Sequence, residues 1–572
     1  MTETTTPAIS PAPPRAIAER AATKRLLNAF LRETGGDPPA DPGLRVPLPA
    51  SGCALLGTIR HRSVLGHHDY GDEFCVQHDD SDTARPVGHD ELVTLLLTEV
   101  AALAARTAGE PSDGPARTAE LAAQIDNSVA RTTRYLQCER PPRPPATDPR
   151  ALTRHTEQSL LFGHPFHPTP KSAEGFGPDD LAAYAPELRA SFRLHYLAVA
   201  PELLVEDRVA PDPWVAPEVE QQARRLLGAD RPAHALLPMH PWQANHLRRA
   251  DAFAALVAEG AMVPLGPLGP AVYPTSSVRT VCDPAFATAW KLPLHVRITN
   301  FVRNNPPEHG RRAADAGRVV AAVRGGWDHD AFAVLLETGY RTVDVPALAA
   351  DLTVLYRENP FATRPEAPQV LAGLLEDGTD GAEPALIGYV RQATRRRDGL
   401  LPAADTGRWL CRYLEISLLP LLAVFCADGV SLEAHVQNSL LHLQDGWPAR
   451  FYVRDMEGTS VSRRRVAAGV VAADSPVLVD DDEAWLRLRY YVLTNHLGHL
   501  VHVLGRHAEG GEAGLWQVVR DMVRSAPPGR YRSELLSSPV LPAKANLISR
   551  FAGRGERPLY VDVPNPIREV NA

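Results

Sequence analysis

Two imidazoles and an ammonium share the segment GHPFHPTPK, which carries His164, His167 and Lys171. Pro165, Pro168 and Pro170 exclude a helix there, because each lacks an N–H and pushes the residue before it toward extended geometry. The preceding stretch, TDPRALTRHTEQSLLFG, predicts a helix capped by Thr147 or Asp148, with Pro149 in its first turn and Gly163 at its end. Beyond Gly163 the chain reads as a stiff polar loop. It is either a surface turn or a device that holds cationic and hydrogen-bonding groups against an anion.

A second set lies in WKLPLHVRIT. Trp290, Leu292, Leu294, Val296 and Ile298 alternate with Lys291, Pro293, His295, Arg297 and Thr299, which predicts a strand with one apolar and one polar face. SSVRTV upstream is also β-like, and CDPAFATA supplies a turn. An antiparallel pairing centred near Ala285 sets Arg279 opposite Lys291. Like charges facing each other on a sheet repel. An anion between them resolves the conflict, and Ser277, Thr280, Thr299 and Arg303 complete a site suited to a polyphosphate. The plainer reading is a solvated basic face.

A third set closes SLEAHVQNSLLHLQDGWPARFYVRDMEG. NSLLHLQ and ARFYVRD read as strands joined at Asp445-Gly446. A centre between Gly446 and Trp447 brings Asn438 beside Asp455, and the open end gathers Glu433, His435, Gln437, Asn438 and Asp455. Two carboxylates with an amide suit Mg²⁺, a hard cation that takes oxygen ligands. His435 can touch a phosphate or a reacting carboxylate. An ordinary polar hairpin end is the alternative. The chain lacks GxxxxGK[ST] and any GxGxxG placed after a strand, so a bound nucleotide is held by side chains. HPWQ, from His240 to Gln243, is a further polar cluster, or a turn in which Trp242 packs into a core.

The elements that carry these sets belong to a chain of 572 residues, long enough for two or three domains. Hydrophobic residues make up 44% and charged residues 22%, as in globular proteins. The net charge of −8 argues against nucleic acid as a partner. Cys53, Cys75, Cys138, Cys282, Cys411 and Cys426 form no CxxC pair, which suits a reducing, cytoplasmic setting. Residues 1–15 read as a disordered leader without the apolar run of a signal peptide. The apolar stretch Ile416–Ala427 is too short to span a bilayer and reads as a buried helix, so no membrane is expected. GCALLGTIRHRS and RVVAAVRGG are strand-like, Pro141–Pro149 is a stiff boundary, and the chain after Leu401 is mainly helical with one hairpin.

GHPFHPTPK, LPMHPWQ, PTSSVRT with KLPLHVRITNFVR, EAHVQNSLL and RDMEG, in this order, resemble the IucA/IucC family of NRPS-independent siderophore synthetases. The resemblance implies an α+β fold shaped as a cupped hand, with antiparallel β-hairpins forming the ATP site. Residues 16–148 would be the thumb, 149–400 the fingers and 401–572 a largely helical palm. It implies adenylation of citrate or a related polycarboxylate by Mg-ATP, then attack by an amine, hydroxylamine or alcohol, and a homodimer. By the same resemblance Ser277, Arg279, Lys291, Thr299 and Arg303 contact phosphate. His435, Gln437 and Asn438 hold the nucleotide and the reacting carboxylate, and Glu433 and Asp455 bind magnesium. His164, His167 and Lys171 approach the acid, and His435, Arg303 and Lys291 are the catalytic set. Three rivals stand beside this reading. A kinase-like phosphotransferase would release ADP. A metal hydrolase would use His164, His167 and His240, and a noncatalytic protein would bind nucleotide or ferric citrate without turnover.

Overall fold

The first helix of the chain, Pro14–Thr34, begins with proline in its first turn, where a missing N–H costs nothing. In this computed structural model the described residues are 12–35, 43–108, 114–229, 231, 233–299, 301–379, 381–554 and 558–569. Most of the expected leader lies outside them, and the helix starts inside its predicted limit at 15. The helix packs on a five-stranded antiparallel sheet whose longest strand is Cys53–His61. Leu26, Leu27, Val46, Leu55 and Leu96 form that core, joined by Leu547 and Phe551 from near the C-terminus.

An eight-stranded antiparallel sheet forms the centre. Its spatial order is Leu204–Arg208, Glu337–Val343, Val354–Glu358, Thr288–Lys291, Thr280–Cys282, Met262–Pro274, Phe192–Val199 and Ala235–Met239. Its core includes Trp214, stacked on Tyr356 at 4.1 Å, and Trp290. WKLPLHVRIT is not one strand. It breaks at Leu292–Pro293, and Leu294–Ile298 leaves for a separate three-stranded sheet with Phe301–Arg303 and Ala173–Glu174. Pro293 has no N–H to continue the ladder. The register is also one residue away from the expected one: Thr280, not Arg279, pairs with Lys291. Ser276–Arg279 is a tight turn in which the Val278 amide donates to Thr275 O at 2.9 Å and Val278 adopts φ 68°. The connection 283–288 sets this register, because its centre falls between Ala285 and Phe286 and not at Ala285.

Two further expectations are corrected. RVVAAVRGG is the end of the helix Pro307–Val323, with Val319 and Val320 turned into the core. The helix from Pro149 is capped by Asp148, which accepts from the Ala151 amide at 3.0 Å, but it ends at Glu157 rather than running to Gly163. The Glu376 carboxylate takes the amides of Leu161, Phe162 and Gly163, so those amides find no helical partners.

The C-terminal part is mainly helical around a large apolar core. Its hairpin, Ser439–Gln444 with Trp447–Val453, turns at Asp445 and Gly446, both at positive φ (50° and 81°), as a type I′ turn requires. The turn is centred between Asp445 and Gly446, one residue before the expected centre, and a bulge between His442 and Leu443 makes up only part of the difference, so Asn438 lies beside Arg454, not Asp455; the Arg454 amide donates to Asn438 O at 3.0 Å. The segment Ala403–Asp428 is long and apolar enough to cross a membrane, yet it is two helices broken at Ser417 and mostly buried within the molecule.

Candidate active site

The hairpins, the His-Pro loop, the first helix and the C-terminal helices wall one cavity of about 1170 Å³. Its most charged corner is built on Lys291, at the end of a central strand and only 4% exposed. The ammonium lies 2.6 Å from Asp455 and 2.7 Å from Glu457. Arg279 stands 3.8 Å from Glu457, and Arg357 stands 3.4 Å from the other oxygen of Asp455. Burial pushes both carboxyls up, but the surrounding cations outweigh it and hold Asp455 and Glu457 well below the usual carboxylate range. Burial works the other way on the guanidinium of Arg303, lowering it to about 10, with Arg279 adding to the effect.

The turns around this corner are tense. Val278, Thr299 and Asp455 all sit at positive φ (68°, 59° and 74°), and two of them are β-branched. Such residues cost about 1–3 kcal/mol each and persist where neighbouring structure holds them. Arg279 Nη1 donates to Arg303 O at 3.0 Å, to Asn304 O at 3.4 Å and to Asn305 Oδ1. Its guanidinium therefore shapes the segment that carries Arg303, besides contributing charge. Arg303 Nη2 in turn donates to Thr299 Oγ1 at 2.6 Å.

His435 accepts the amides of Gln437 and Asn438 at Nδ1, at 3.2 and 3.3 Å. Burial lowers its pKa, with Glu433 opposing, so at neutral pH it is an uncharged ring whose Nε2–H points to Glu433 Oε1, 3.9 Å away. Gln437 Nε2 donates to Ser276 O at 3.0 Å, and Asn438 Nδ2 to Glu433 O at 3.2 Å. Ser277 Oγ accepts the Thr280 amide at 3.1 Å and faces the cavity.

The acid-facing set separates. His164 lines the cavity; its Nδ1 accepts the Phe166 amide at 3.1 Å and its Nε2 lies 3.0 Å from the Asn495 amide. Burial, then His167 and His435, drive its pKa well down, so it is neutral and not the cation the loop suggested. His167 is 5% exposed and absent from the cavity wall; its Nδ1 accepts the Thr169 amide at 3.1 Å. Lys171 reaches the wall but is committed to Glu187 at 2.5 Å and Leu160 O at 2.7 Å. His240, in HPWQ, is fully buried against Tyr184 and Phe192 and accepts the Trp242 amide at 3.1 Å. Three His-Pro pairs thus share one device: proline presets the turn, and the histidine Nδ1 satisfies the amide two residues on.

Sequence reasoning assigned no role to Glu457, Arg357 or the Glu157–Arg454 pair. Glu457 stood inside the quoted RDMEG, and its spacing from Asp455 was the available signal. Arg357 lay in a buried strand with no motif, and Arg454 reaches Glu157 from a distant part of the chain. The donor set fits Mg²⁺. Glu433, Asp455 and Glu457 are hard oxygen donors at one end of the cavity. Gly458 gives Glu433 its room, since a Cβ there would collide with Glu433 Oε2.

Comparison with known proteins agrees with this geometry. Residues 153–376 match the IucA / IucC family, and residues 407–559 match the ferric iron reductase FhuF-like transporter family. L-2,3-diaminopropanoate–citrate ligase of Staphylococcus aureus is 37% identical over 576 residues, covering 96% of each chain. Spermidine-citrate ligase of Bacillus anthracis is 27% identical over 97% of this chain and 98% of its own length. The fold superposes on ATP-bound aerobactin synthetase IucA of Klebsiella pneumoniae with a TM-score of 0.81, at 23% identity, over 96% of this chain and 99% of that one. A full-length relative at this identity, with cations and carboxylates converging where the motifs lie, places the chain: it belongs to the IucA/IucC family and is a ligase of siderophore biosynthesis.

Proposed function

We propose that the protein uses ATP to adenylate a carboxylate of citrate, releasing pyrophosphate, and joins the acyl group to an amine. The observation that carries this reading is the convergence of Lys291, Arg279, Arg303 and Arg357 with Asp455 and Glu457 at one end of a cavity that His164 and His435 also enter. At about 1170 Å³ the cavity exceeds the usual size for one small ligand, leaving room for a nucleotide and an acid together. The Staphylococcus and Bacillus relatives are named as citrate ligases, which favours citrate as the acid.

Joining two anions needs their repulsion offset. The carboxylate oxygen attacks the α-phosphorus, an O–P bond forms, and the α–β bridging bond breaks with its electron pair leaving on pyrophosphate. Lys291 and Arg303 offset the charge that moves to the leaving group. The Nε2–H of His435 is a neutral donor for the α-phosphate or the incoming carboxylate. The neutral amine nitrogen then forms the C–N bond, the acyl C–O bond breaks with its electrons on AMP, and the nitrogen loses one proton to the departing AMP or to solvent. Glu433, Asp455 and Glu457 would hold Mg²⁺, which supplies charge neutralisation to the phosphates when bound. The free state of all six cysteines supports a cytoplasmic setting, and Cys282, pushed up to about 12 by burial, is no nucleophile.

The test is ATP–pyrophosphate exchange with Mg²⁺ across a panel of carboxylic acids. Citrate-dependent exchange, with AMP as the nucleotide product, is expected. ADP with a phosphorylated product would give the protein to the phosphotransferase reading, and nucleotide binding without turnover to the noncatalytic one.

A further inference from the structure

Away from the phosphate-facing groups, the wall of the same cavity carries His61 and His502. His61 closes the strand Cys53–His61, and His502 lies in the helix Gly498–His507. The next helix, Gly511–Ser525, has Glu512 as its second residue. Glu512 Oε1 lies 3.0 Å from His61 Nε2 and 3.1 Å from His502 Nδ1, and the three atoms all lie within 4.8 Å of one another. The other carboxylate oxygen, Oε2, accepts the Ser63 hydroxyl at 3.0 Å and the Val64 amide at 3.4 Å, so Oε1 is held facing the two imidazoles. Gly505 lets the two helices approach this closely, because a Cβ there would meet the Glu512 nitrogen at 2.9 Å.

Two further observations point to a cation. His502 is buried between two carboxylates, with Nδ1 against Glu512 and Nε2 3.9 Å from Asp69 Oδ2. Asp69 is itself held by Arg506 at 3.1 Å and paired with Lys24. A neutral imidazole has a single N–H, so one of the two carboxylates would face a lone pair. A cation on Nδ1, with the ring proton on Nε2, satisfies both, as in the carboxylate–histidine–metal arrangement. His61 approaches the same Glu512 oxygen, and one metal ion between three donors accounts for both contacts. The second observation is that this corner holds more nitrogen than its hydrogen bonds use. His67 is 3% exposed and stacks on His502 with centroids 5.3 Å apart, and its Nε2 has no hydrogen-bond partner among the described residues. A buried nitrogen without a partner is destabilising and calls for one.

We propose that His61, His502 and Glu512 form a second metal site, separate from the carboxylates beside Lys291, and that it takes Zn²⁺. Two imidazoles and one carboxylate oxygen suit a borderline transition metal, whereas Mg²⁺ prefers an all-oxygen shell. Ligand bonds of about 2.1 Å set the edge of a tetrahedral zinc site at roughly 3.3 Å, close to the two imidazole–carboxylate distances. The cavity gives the ion a way in, since the His61 side chain keeps 23% of its surface. A bound ion ties the end of an N-terminal strand to the corner between two C-terminal helices, and so braces two walls of the cavity against each other.

The test is metal binding by the full-length protein, stripped with a chelator and kept in excess Mg²⁺ so that the oxygen-donor site is occupied. Co²⁺ serves as the visible probe, and Zn²⁺ affinity is read by its displacement. One equivalent of Co²⁺ is expected to bind with the strong visible absorption of a four-coordinate ion, and Zn²⁺ is expected to displace it and to raise the melting temperature. Glu512→Gln should weaken Zn²⁺ binding at least about a hundredfold, more than the loss of a residue that only supports a ligand, and should remove the rise in melting temperature. His61→Gln, with the same expectation, serves if Glu512→Gln fails to fold. Zn²⁺ binding no tighter than about millimolar would leave the three side chains as a hydrogen-bonded brace and overturn the proposal. Uptake that survives both substitutions would assign the ion to other donors and overturn it as well.

Discussion

Lys291 is the residue on which charge balance turns. It sits between two largely buried carboxylates, so Lys291→Ala removes the cation proposed to offset phosphate charge and also leaves Asp455 and Glu457 undercompensated. Breaking a buried pair from one side costs about 3–5 kcal/mol. Exchange should therefore fall at least about a hundredfold and the melting temperature should fall with it, measured by pyrophosphate exchange and calorimetry. The depressed carboxyls set the sign of the pH dependence. Their folded pKa values lie below the unfolded ones, so in the wild type their contribution is present above the unfolded values and lost only as pH falls through the folded values. In the variant the carboxyls rise, and acid relieves them. The stability deficit of Lys291→Ala should narrow as pH falls from about 7 to about 5. A deficit independent of pH would count against the charge argument. Gly458→Ala acts on the neighbouring carboxylate: its Cβ must displace Glu433. The Mg²⁺ concentration for half-maximal exchange should rise about tenfold or more, with the fold retained by circular dichroism.

The elements that hold these residues are short, and buried charges brace them. Arg454, at the end of the second hairpin, makes a two-point pair with Glu157 at the end of the helix Pro149–Glu157. Glu157 also takes the Ser276 amide at 3.0 Å, so one carboxylate ties the helix, the Ser276–Arg279 turn and the hairpin together. Burial raises the Glu157 carboxyl, and Arg454 more than reverses this. Glu157→Ala should cost about 3–5 kcal/mol in denaturant unfolding and raise the KM for ATP, because Ser276–Arg279 loses its anchor. A stability loss with an unchanged KM would confine the pair to a structural role.

Over the whole molecule, the two ends of the described chain close on each other. Helix Asn546–Phe551 packs its Leu547 and Phe551 into the core of the first helix, and Glu33 accepts the amides of Leu547 and Ile548 at 2.9 and 2.8 Å. The first helix also supplies Lys24 to the cavity, so docking of the C-terminal helix helps shape the end of the cavity far from Lys291. Phe551→Ala should cost about 3–5 kcal/mol, and calorimetry should show the N-terminal part melting ahead of the rest. A single transition shifted by less than about 1 °C would show that the docked helix bears little on stability.

How much of this was legible in the sequence differs from residue to residue. The His-Pro turns, the Asp445-Gly446 turn and the polar sets around Arg279, Lys291, His435 and Asp455 could be read, because proline, glycine and alternating polarity act through neighbours a few positions away. The α+β class and the family emerged from the motifs those residues form. Register could not be read, since the first connection is centred between Ala285 and Phe286 and the second between Asp445 and Gly446, each displaced from the expected centre, and a bulge at His442 adds a further shift. The fates of His167 and Lys171 were hidden for a different reason. A long charged side chain takes whichever carboxylate packing brings within reach, and for Lys171 that was Glu187. By itself the sequence determined which groups the chain could offer an anion. The tertiary structure decided which of them share a cavity, because Glu457, Arg357, Lys24 and Arg506 come from segments far apart that only burial of the cores draws together.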